Sequence, residues 1–563
     1  MHRRIVIMLG TTALLWAIGC AELESVAAEA LSDQVGELLR TRIESAGVPP
    51  KLAVGEERIH ASMMMPLFYE RRTYRPAWSG DEGPLPQVDA LMKAIREADR
   101  EGLTTSDYHL GRIEATLAEV REDQKQEEWF GPRRLVDLDL LLTDAFLIYG
   151  SHLLGGRLNP ETVDPEWHAK RREADLATVL QNALDSDQIE EALGDLLPPH
   201  PSYARLRQAL AHYRELAAKG EGGWPRVPDG PKLRKGDRSE RVAALRGRLM
   251  ATGDLDRGRS ADADLFDEAL DRAVRRFQQR HGLDVDGVVG PATLAASNVH
   301  VGERIRQIEL NMERWRWLPQ DFGPSYILVN IANFEAEVVE GGHPVITTRI
   351  IVGKEYRRTP VFSDKMTYLV LSPYWQVPLS IVVKDKLPLI RKDPSYLAQQ
   401  NMKVFQGWGA DTREVDPKTV DWSRVTAANF TYRLRQDPGP KNALGRVKFM
   451  FPNKYNVYLH DTPSRELFAK TERTFSSGCI RIEKPIELAE YLLRDNPKWT
   501  RDTILAAIDK RVEQTVGLPE PIPVHLLYCT AWAEEDGSIQ FRKDIYGRDQ
   551  RVYDALRKPP PSS

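Results

Sequence analysis

The chain has 563 residues, which is too many for one hydrophobic core, so its length predicts about three or four domains. A hydrophobic share of 42% and a charged share of 28% are typical of a soluble globular protein. The formal net charge of −4, with basic and acidic residues interleaved, gives no electrostatic argument for a nucleic-acid-binding protein. Three cysteines exclude a disulfide framework and a four-thiolate zinc site built from this chain alone.

The N-terminus has the pattern of a secretory signal. Arg3 and Arg4 precede an apolar run at 5–18 that is shorter than the roughly 20 residues of a membrane span. We therefore expect residues 1–28 to be a signal segment that exports the protein. Cleavage near the end of this segment and lipoprotein processing at Cys20 both stay open, as does membrane anchoring through an uncleaved signal.

Residues 30–220 predict a helical domain, because apolar residues recur there at three-to-four spacing. The stretch 134–154 is strongly apolar but carries Asp137, Asp139 and Asp144. Carboxylates are costly in a bilayer, so a buried helix is favoured over a membrane span.

A compact unit follows at 232–297. Helical apolar faces are predicted at 241–250 and 266–281, and a turn then leads into a third, short helix. The segments 233–237, 277–278 and 286–294 resemble the three-helix peptidoglycan-binding module. That resemblance implies attachment to the cell wall and says nothing of chemistry.

The pattern changes from helix to strand after residue 319. Alternating apolar residues around Ile327 and a Gly341–Gly342 turn predict a hairpin, with further strands at 368–371 and 447–451. We expect a β-rich domain at 305–515. An insertion at about 380–440 is predicted as a cap of short helices and loops, and residues 516–563 as a C-terminal extension.

A histidine and a cysteine stand out in this β-rich domain. Tyr458 and His460 alternate with apolar residues, so a strand would place both on one face, with the His460 ring pointing away from the core. Cys479 follows a polar loop, and the small residues Ser477 and Gly478 before it would let a substrate backbone approach the sulfur. In an extended chain, Arg481 shares the face of Cys479.

These residue types suit acyl transfer. A free thiol with a pKa of about 8.5 is mostly protonated at neutral pH, and a nearby imidazole can accept its proton. Backbone N–H groups at Gly478 and Cys479 could hold an oxyanion, and Arg481 could bind a carboxylate. Spacing alone leaves the alternative of a structural histidine and a buried cysteine open, and that alternative suits Cys529 well.

With His460, the hexapeptide at 476–481 resembles the signature of L,D-transpeptidases with a YkuD-type catalytic domain. Further stretches resemble the large YcbB-like members: 68–70, 314–319, 352–354, 359–362, 373–378 and 458–462. Many family members have His and Asn where this chain has Ser477 and Arg481, and the large subgroup has the residues found here. His460 is then the single nearby candidate base. The resemblance implies a multidomain α+β protein: a helical scaffold, a three-helix peptidoglycan-binding module and a β-rich catalytic domain with an inserted cap.

The resemblance also implies a reaction. Cys479 would attack the bond between diaminopimelate and the terminal D-Ala of a tetrapeptide stem, and His460 would move the protons. Tyr458, Ser477, Gly478 and Arg481 would line the acyl site. A diaminopimelate amine of a second stem would take the thioester, giving a 3→3 crosslink in the periplasm of a Gram-negative bacterium. No metal or cofactor is implied, carbapenems would acylate the cysteine, and peptidoglycan synthases are candidate partners.

Three other functions stay open at this point. Water as acceptor would make an L,D-carboxypeptidase, and a lysine of an outer-membrane protein would make an anchoring enzyme. A wall-binding scaffold with an inactive site is the non-catalytic alternative.

Overall fold

A computed structural model describes residues 30–125, 131–168, 171–219, 224–256, 262–407 and 409–558. The predicted signal segment 1–28, including Cys20, lies outside the described residues.

The first hydrophobic core is helical, as predicted. Its main helices are Leu31–Glu44, Met65–Arg71, Gln87–Arg96, Leu110–Lys125, Pro132–Gly155, Leu176–Ser186 and Ile189–Asp195. The predicted apolar helix, Pro132–Gly155, is central, and 94% of its most apolar stretch is buried inside the protein. Its acidic side chains are hydrogen-bonded: Asp139 accepts from Tyr69 at 2.6 Å, and Asp144 from the Ala61 N–H at 2.6 Å. The helix is therefore a core helix with polar contacts to the surrounding loops.

The last helix of the predicted scaffold belongs to a different core. Pro201–Lys219 packs against Val301–Arg316, and both helices share a core with the β-rich domain. Tyr203 and Arg316 mark this contact, with 3.0 Å between the phenol oxygen and Nη2. The scaffold thus reaches the β-rich domain through buried contacts.

The module predicted at 232–297 has three helices, Glu240–Ala251, Glu268–Arg280 and Pro291–Ser297. It has a small core of its own that includes Val242, Leu245, Leu270 and Phe277. The predicted helical faces are the buried faces.

In the described residues, nine strands form the main sheet of the β-rich domain. In chain order they are β1 Ser325–Asn330, β2 Glu335–Glu340, β3 His343–Gly353, β4 Phe362–Leu371, β5 Val447–Met450, β6 Leu459–His460, β7 Thr474–Ser476, β8 Ile480–Ile482 and β9 Gln514–Leu527. Their order is β7-β3-β8-β6-β5-β4-β9-β1-β2, and β2 also pairs with β3, which closes eight strands into a barrel. The predicted Gly341–Gly342 turn is confirmed, with Glu340 opposite His343, but the arm before it is β2. The strand predicted around Ile327 is β1, which pairs with β2, so the chain forms three strands where two were predicted.

The predicted boundary between a catalytic domain and a C-terminal extension at residue 516 lies inside β9. This strand pairs with β4 on one side and β1 on the other, so removing it would open the barrel. The segment after it forms the hairpin Ala531–Ala533 with Ile539–Phe541 and the helix Arg548–Leu556. The C-terminal segment therefore belongs to the β-rich domain.

The insertion at about 380–440 contains more sheet than predicted. Strands Trp375–Gln376, Met402–Gln406, Arg413–Val415 and Tyr432–Gln436 form a separate four-stranded sheet. The short helices Leu387–Lys392 and Tyr396–Gln399 pack on it, around buried Val404 and Leu434. The insertion is a subdomain with its own core.

Candidate active site

Two adjacent parallel strands, β6 and β8, bring the predicted site residues together. The register pairs His460 with Arg481, so Tyr458 lies level with Cys479. Diagonal neighbours on adjacent strands are about 7–8 Å apart, within reach of long side chains. Leu459, between Tyr458 and His460, is fully buried in the barrel, so the site lies on the outer face.

One hydrogen bond fixes the tautomer of His460. Its Nδ1 lies 2.5 Å from the backbone oxygen of Asp461, and a carbonyl can only accept. Nδ1 therefore carries the proton, and Nε2 has a free lone pair. Burial, followed by the charge of Arg481, lowers the pKa of His460 to about 3. The ring leaves the barrel interior as predicted, but it is buried on the outer face, with 5% of the residue exposed.

Cys479 is half-buried and lies directly before β8. Its Sγ lies 3.6 Å from the backbone oxygen of Asn456, which suits a protonated thiol as donor. Burial raises the pKa of Cys479, and hydrogen bonds from Tyr458 and the charge of Lys448 only partly oppose this. The resting pair is therefore a thiol and a neutral imidazole, not a thiolate and an imidazolium.

Lys448 belongs to the site, and the sequence analysis missed it. It pairs with His460 across β5 and β6, and its Nζ lies 4.0 Å from the centre of the Tyr458 ring. Burial lowers the pKa of Lys448, whereas Cys479 raises it. A signal was available, because Lys448 is the one charged residue within the apolar stretch 447–451. Lys448 supplies positive charge where a thiolate would form.

The loop before the cysteine is held by buried polar contacts. Gly478 has a positive φ of 117°, which favours glycine. Its carbonyl accepts from the hydroxyl of buried Thr359 at 2.9 Å. Its N–H donates to Ser476 Oγ at 3.1 Å, and Ser476 Oγ donates to the Cys479 carbonyl at 2.5 Å. The Gly478 N–H, expected as an oxyanion donor, is thus engaged within the loop in this structure.

Ser477 connects the site to the inserted subdomain. Its exposed side chain accepts a hydrogen bond from Arg357 Nη1 at 2.7 Å. The same guanidinium pairs with Asp385 at 2.5 Å and 3.1 Å, and Asp385 lies in the insertion. Sequence reasoning missed both Arg357 and Asp385.

Arg481 has a donor without a partner. Its Nε is buried and has no acceptor within the part of the chain that the structure describes. Burial lowers the pKa of Arg481. A half-buried guanidinium whose Nε has no acceptor, on the strand that follows the cysteine, fits an anionic group.

A metal centre finds no support in the described ranges, where no three His, Cys, Asp or Glu side chains group as ligands.

Three family matches cover separate parts of the chain. The L,D-transpeptidase catalytic domain (YkuD) matches residues 324–509, the scaffold domain residues 65–210, and a family described as "Putative peptidoglycan binding domain" residues 238–296.

Two curated relatives cover shorter segments. A protein of Haemophilus influenzae named "Putative L,D-transpeptidase" is 37% identical over 252 residues, which are 44% of this chain and 49% of that protein. The chain thus spans about half the length of this relative. The N-acetylmuramoyl-L-alanine amidase CwlM of Mycobacterium tuberculosis is 51% identical over 79 residues, 13% of this chain and 20% of that protein.

Two solved L,D-transpeptidases are remote. That of Xylanimonas cellulosilytica is 16% identical with a TM-score of 0.15, covering 53% of this chain and 99% of that chain. The L,D-transpeptidase of Stackebrandtia nassauensis is 12% identical with a TM-score of 0.20, and the match covers 54% of this chain and 96% of that chain. TM-scores this low carry no argument about the fold. The family matches do support one: this chain contains an L,D-transpeptidase (YkuD) catalytic domain at 324–509, together with a scaffold domain and a peptidoglycan-binding domain.

Proposed function

We propose that the protein forms 3→3 crosslinks in peptidoglycan through a thioester on Cys479. The observation that carries the proposal is the tautomer of His460, whose Nε2 is free to accept a proton on the face of the sheet that bears Cys479. The catalytic-domain match supports the reaction class, and the peptidoglycan-binding match supports the polymer.

The first half-reaction transfers the acyl group to the enzyme. As Cys479 Sγ attacks the diaminopimelate carbonyl, His460 Nε2 accepts the thiol proton and then donates it to the amine of the departing D-Ala. Lys448 and Arg481 supply positive charge near the sulfur. Since the Gly478 N–H is engaged, the Cys479 N–H is the better candidate for holding the oxyanion.

The second half-reaction reverses these steps. The side-chain amine of diaminopimelate on another stem attacks the thioester, His460 accepts its proton, and the proton returns to the departing thiolate. The amide that forms is the 3→3 crosslink. The open Nε of Arg481 suits a stem carboxylate, and Tyr458 lies level with the sulfur beside the acyl group.

We further propose that the enzyme acts in the periplasm of a Gram-negative bacterium, where peptidoglycan lies, and that synthases supply its substrate. The peptidoglycan-binding match supports the cell-wall location.

The test is the product spectrum with purified disaccharide-tetrapeptide. Wild-type protein should release D-Ala and give a dimer linked 3→3, and Cys479→Ala should give neither. Disaccharide-tripeptide as the single product would mean a carboxypeptidase, and unchanged substrate would support the non-catalytic alternative.

A further inference from the structure

A second cleft lies on the wall of the barrel opposite the cysteine. In the ring of eight strands, β1 is the fourth strand from β6 in either direction. The outward face of β1 and β2 forms the floor of a cleft of about 860 Å³. We call it the outer cleft. It is separate from the Cys479 site.

Two carboxyl groups stand side by side on this floor. Glu335 and Glu337 alternate on β2 with Ala336 and Val338, which are each 3% exposed and face the barrel interior. Both glutamates therefore point outward into the outer cleft, in which they are half-buried.

The charge of Glu337 is not compensated. Within the described chain, neither a hydrogen-bond donor nor a cation pairs with its carboxylate. Burial is the main cause that raises the pKa of Glu337 to about 7, and the negative charges of Glu335 and Glu534 add to it. Among the described residues, Glu335 accepts one side-chain hydrogen bond, from Asn333 Nδ2 at 3.2 Å, and the charges of Arg542 and Arg473 oppose the rise that burial causes in its pKa. Glu534 accepts from the Trp532 indole at 2.8 Å. A bound cation would relieve this repulsion.

Aromatic side chains form the walls. The Phe322 and Tyr326 ring centres are 5.3 Å apart, and the His200 ring stacks on Trp315 at 4.8 Å. Trp315 is 5% exposed, and its indole N–H is buried without an acceptor among the described residues. Arg205 pairs with Glu535 at 3.6 Å and also lines the cleft. The walls thus offer apolar surface and one unused donor.

We propose that the outer cleft binds a peptide that carries a primary ammonium group on an extended side chain. The ammonium lies between Glu335 and Glu337, the methylene groups contact the aromatic walls, and a ligand carbonyl or carboxylate accepts the Trp315 N–H. The volume suits an occupant of a few residues. The stem peptide, with its diaminopimelate amine, is the source we favour, and this choice rests on the proposed function. A lysine side chain of a protein has the same ammonium chemistry.

Calorimetry on the full chain tests this proposal. The protein carries Cys479→Ala to prevent turnover, with Glu337→Gln as the variant. Glu520→Gln, an exposed glutamate on β9, is the control with the same change of charge. The probes are a diaminopimelate tetrapeptide, the same peptide acetylated on the side-chain amine, and acetyl-Gly-Lys-Gly-amide.

We expect the tetrapeptide to show two binding events. Glu337→Gln and acetylation should each weaken one of them at least about tenfold, the size expected for one charge-assisted contact, and Glu520→Gln should weaken neither. Equal binding of the lysine peptide would support the ammonium site and assign it to protein lysines. Equal affinities in the Glu337→Gln and Glu520→Gln proteins would overturn the proposal. Acylation of Cys479 in the Glu337→Gln protein that retains its cysteine tests the proposed function separately, because Glu337 does not contact that site.

Discussion

A backbone carbonyl, not a carboxylate, holds His460 as the neutral tautomer that carries its proton on Nδ1. The Asp461 oxygen holds Nδ1–H, while the Asp461 carboxylate pairs with Arg446 and Arg465, both at 3.3 Å. The imidazole is thus oriented without a negative partner that would favour the imidazolium. This explains how a histidine flanked by Arg481 and Lys448 stays neutral and able to accept a proton.

The protonation state of Cys479 predicts its reactivity toward iodoacetamide. Because burial raises the thiol pKa, the thiolate fraction and the alkylation rate should rise about tenfold per pH unit from pH 6 to 8. The His460 pKa of about 3 predicts no inflection near pH 6.5. Peptide mapping separates Cys479 from buried Cys529, the internal control. A rate that levels off below pH 7 would mean a resting thiolate.

Lys448→Met should move this alkylation profile to higher pH. The substitution keeps most of the side-chain volume and removes the positive charge that lowers the Cys479 pKa, so the shift should be about one pH unit or less. Lys448→Arg is the control and should keep the wild-type profile. Superimposable profiles for all three proteins would show that Lys448 does not act on the sulfur.

The inserted subdomain is the element most directly connected to the site. Arg357 is the shared residue, since it pairs with Asp385 of the insertion and donates to Ser477 two positions before the cysteine. Asp385 is about a third exposed, so the pair itself is worth only about 1 kcal/mol. Its consequence is therefore expected in local motion more than in global stability.

Asp385→Asn should increase hydrogen exchange in the helix Leu387–Lys392 and in the loop at 476–478. The control is Asp393→Asn, in the same subdomain, whose carboxylate accepts hydrogen bonds from its neighbours Ser395 and Gln399. Exchange that rises equally in both variants, or in neither, would contradict a link between the insertion and the site.

Local patterns predicted the local elements. The three-helix module, the turn at Gly341–Gly342 and the shared face of Tyr458 and His460 follow from periodicity and turn residues. The position of β9 in the middle of the sheet could not be predicted from local patterns, because β9 pairs with strands more than 140 residues earlier. The roles of Arg357 and Lys448 could not be predicted in this way either, because they depend on contacts between distant segments.

At the scale of the whole molecule, the scaffold is attached directly to the barrel. The segment at Trp167 pairs with Val361 just before β4. Buried Arg548 of the C-terminal helix pairs with Asp164 at 2.9 Å and Glu166 at 2.8 Å, while Thr359 in the same region holds Gly478. The helical scaffold, the C-terminal helix and the loop before Cys479 therefore meet in one buried region.

Arg548→Gln should destabilise the protein by about 3–5 kcal/mol, because it leaves the buried Asp164 carboxylate without its cation. Arg551→Gln, exposed on the same helix, is the control and should change stability by less than about 0.5 kcal/mol. Thermal unfolding measures both. Equal melting temperatures would show that this ion pair does not join scaffold and barrel.

The central claim is that Cys479 is the nucleophile, and intact mass after carbapenem treatment tests it most directly. We predict that the wild-type protein gains the mass of one carbapenem, that peptide mapping places it on Cys479, and that Cys479→Ala gains nothing. A wild-type protein of unchanged mass, or an adduct on Cys479→Ala, would contradict the account.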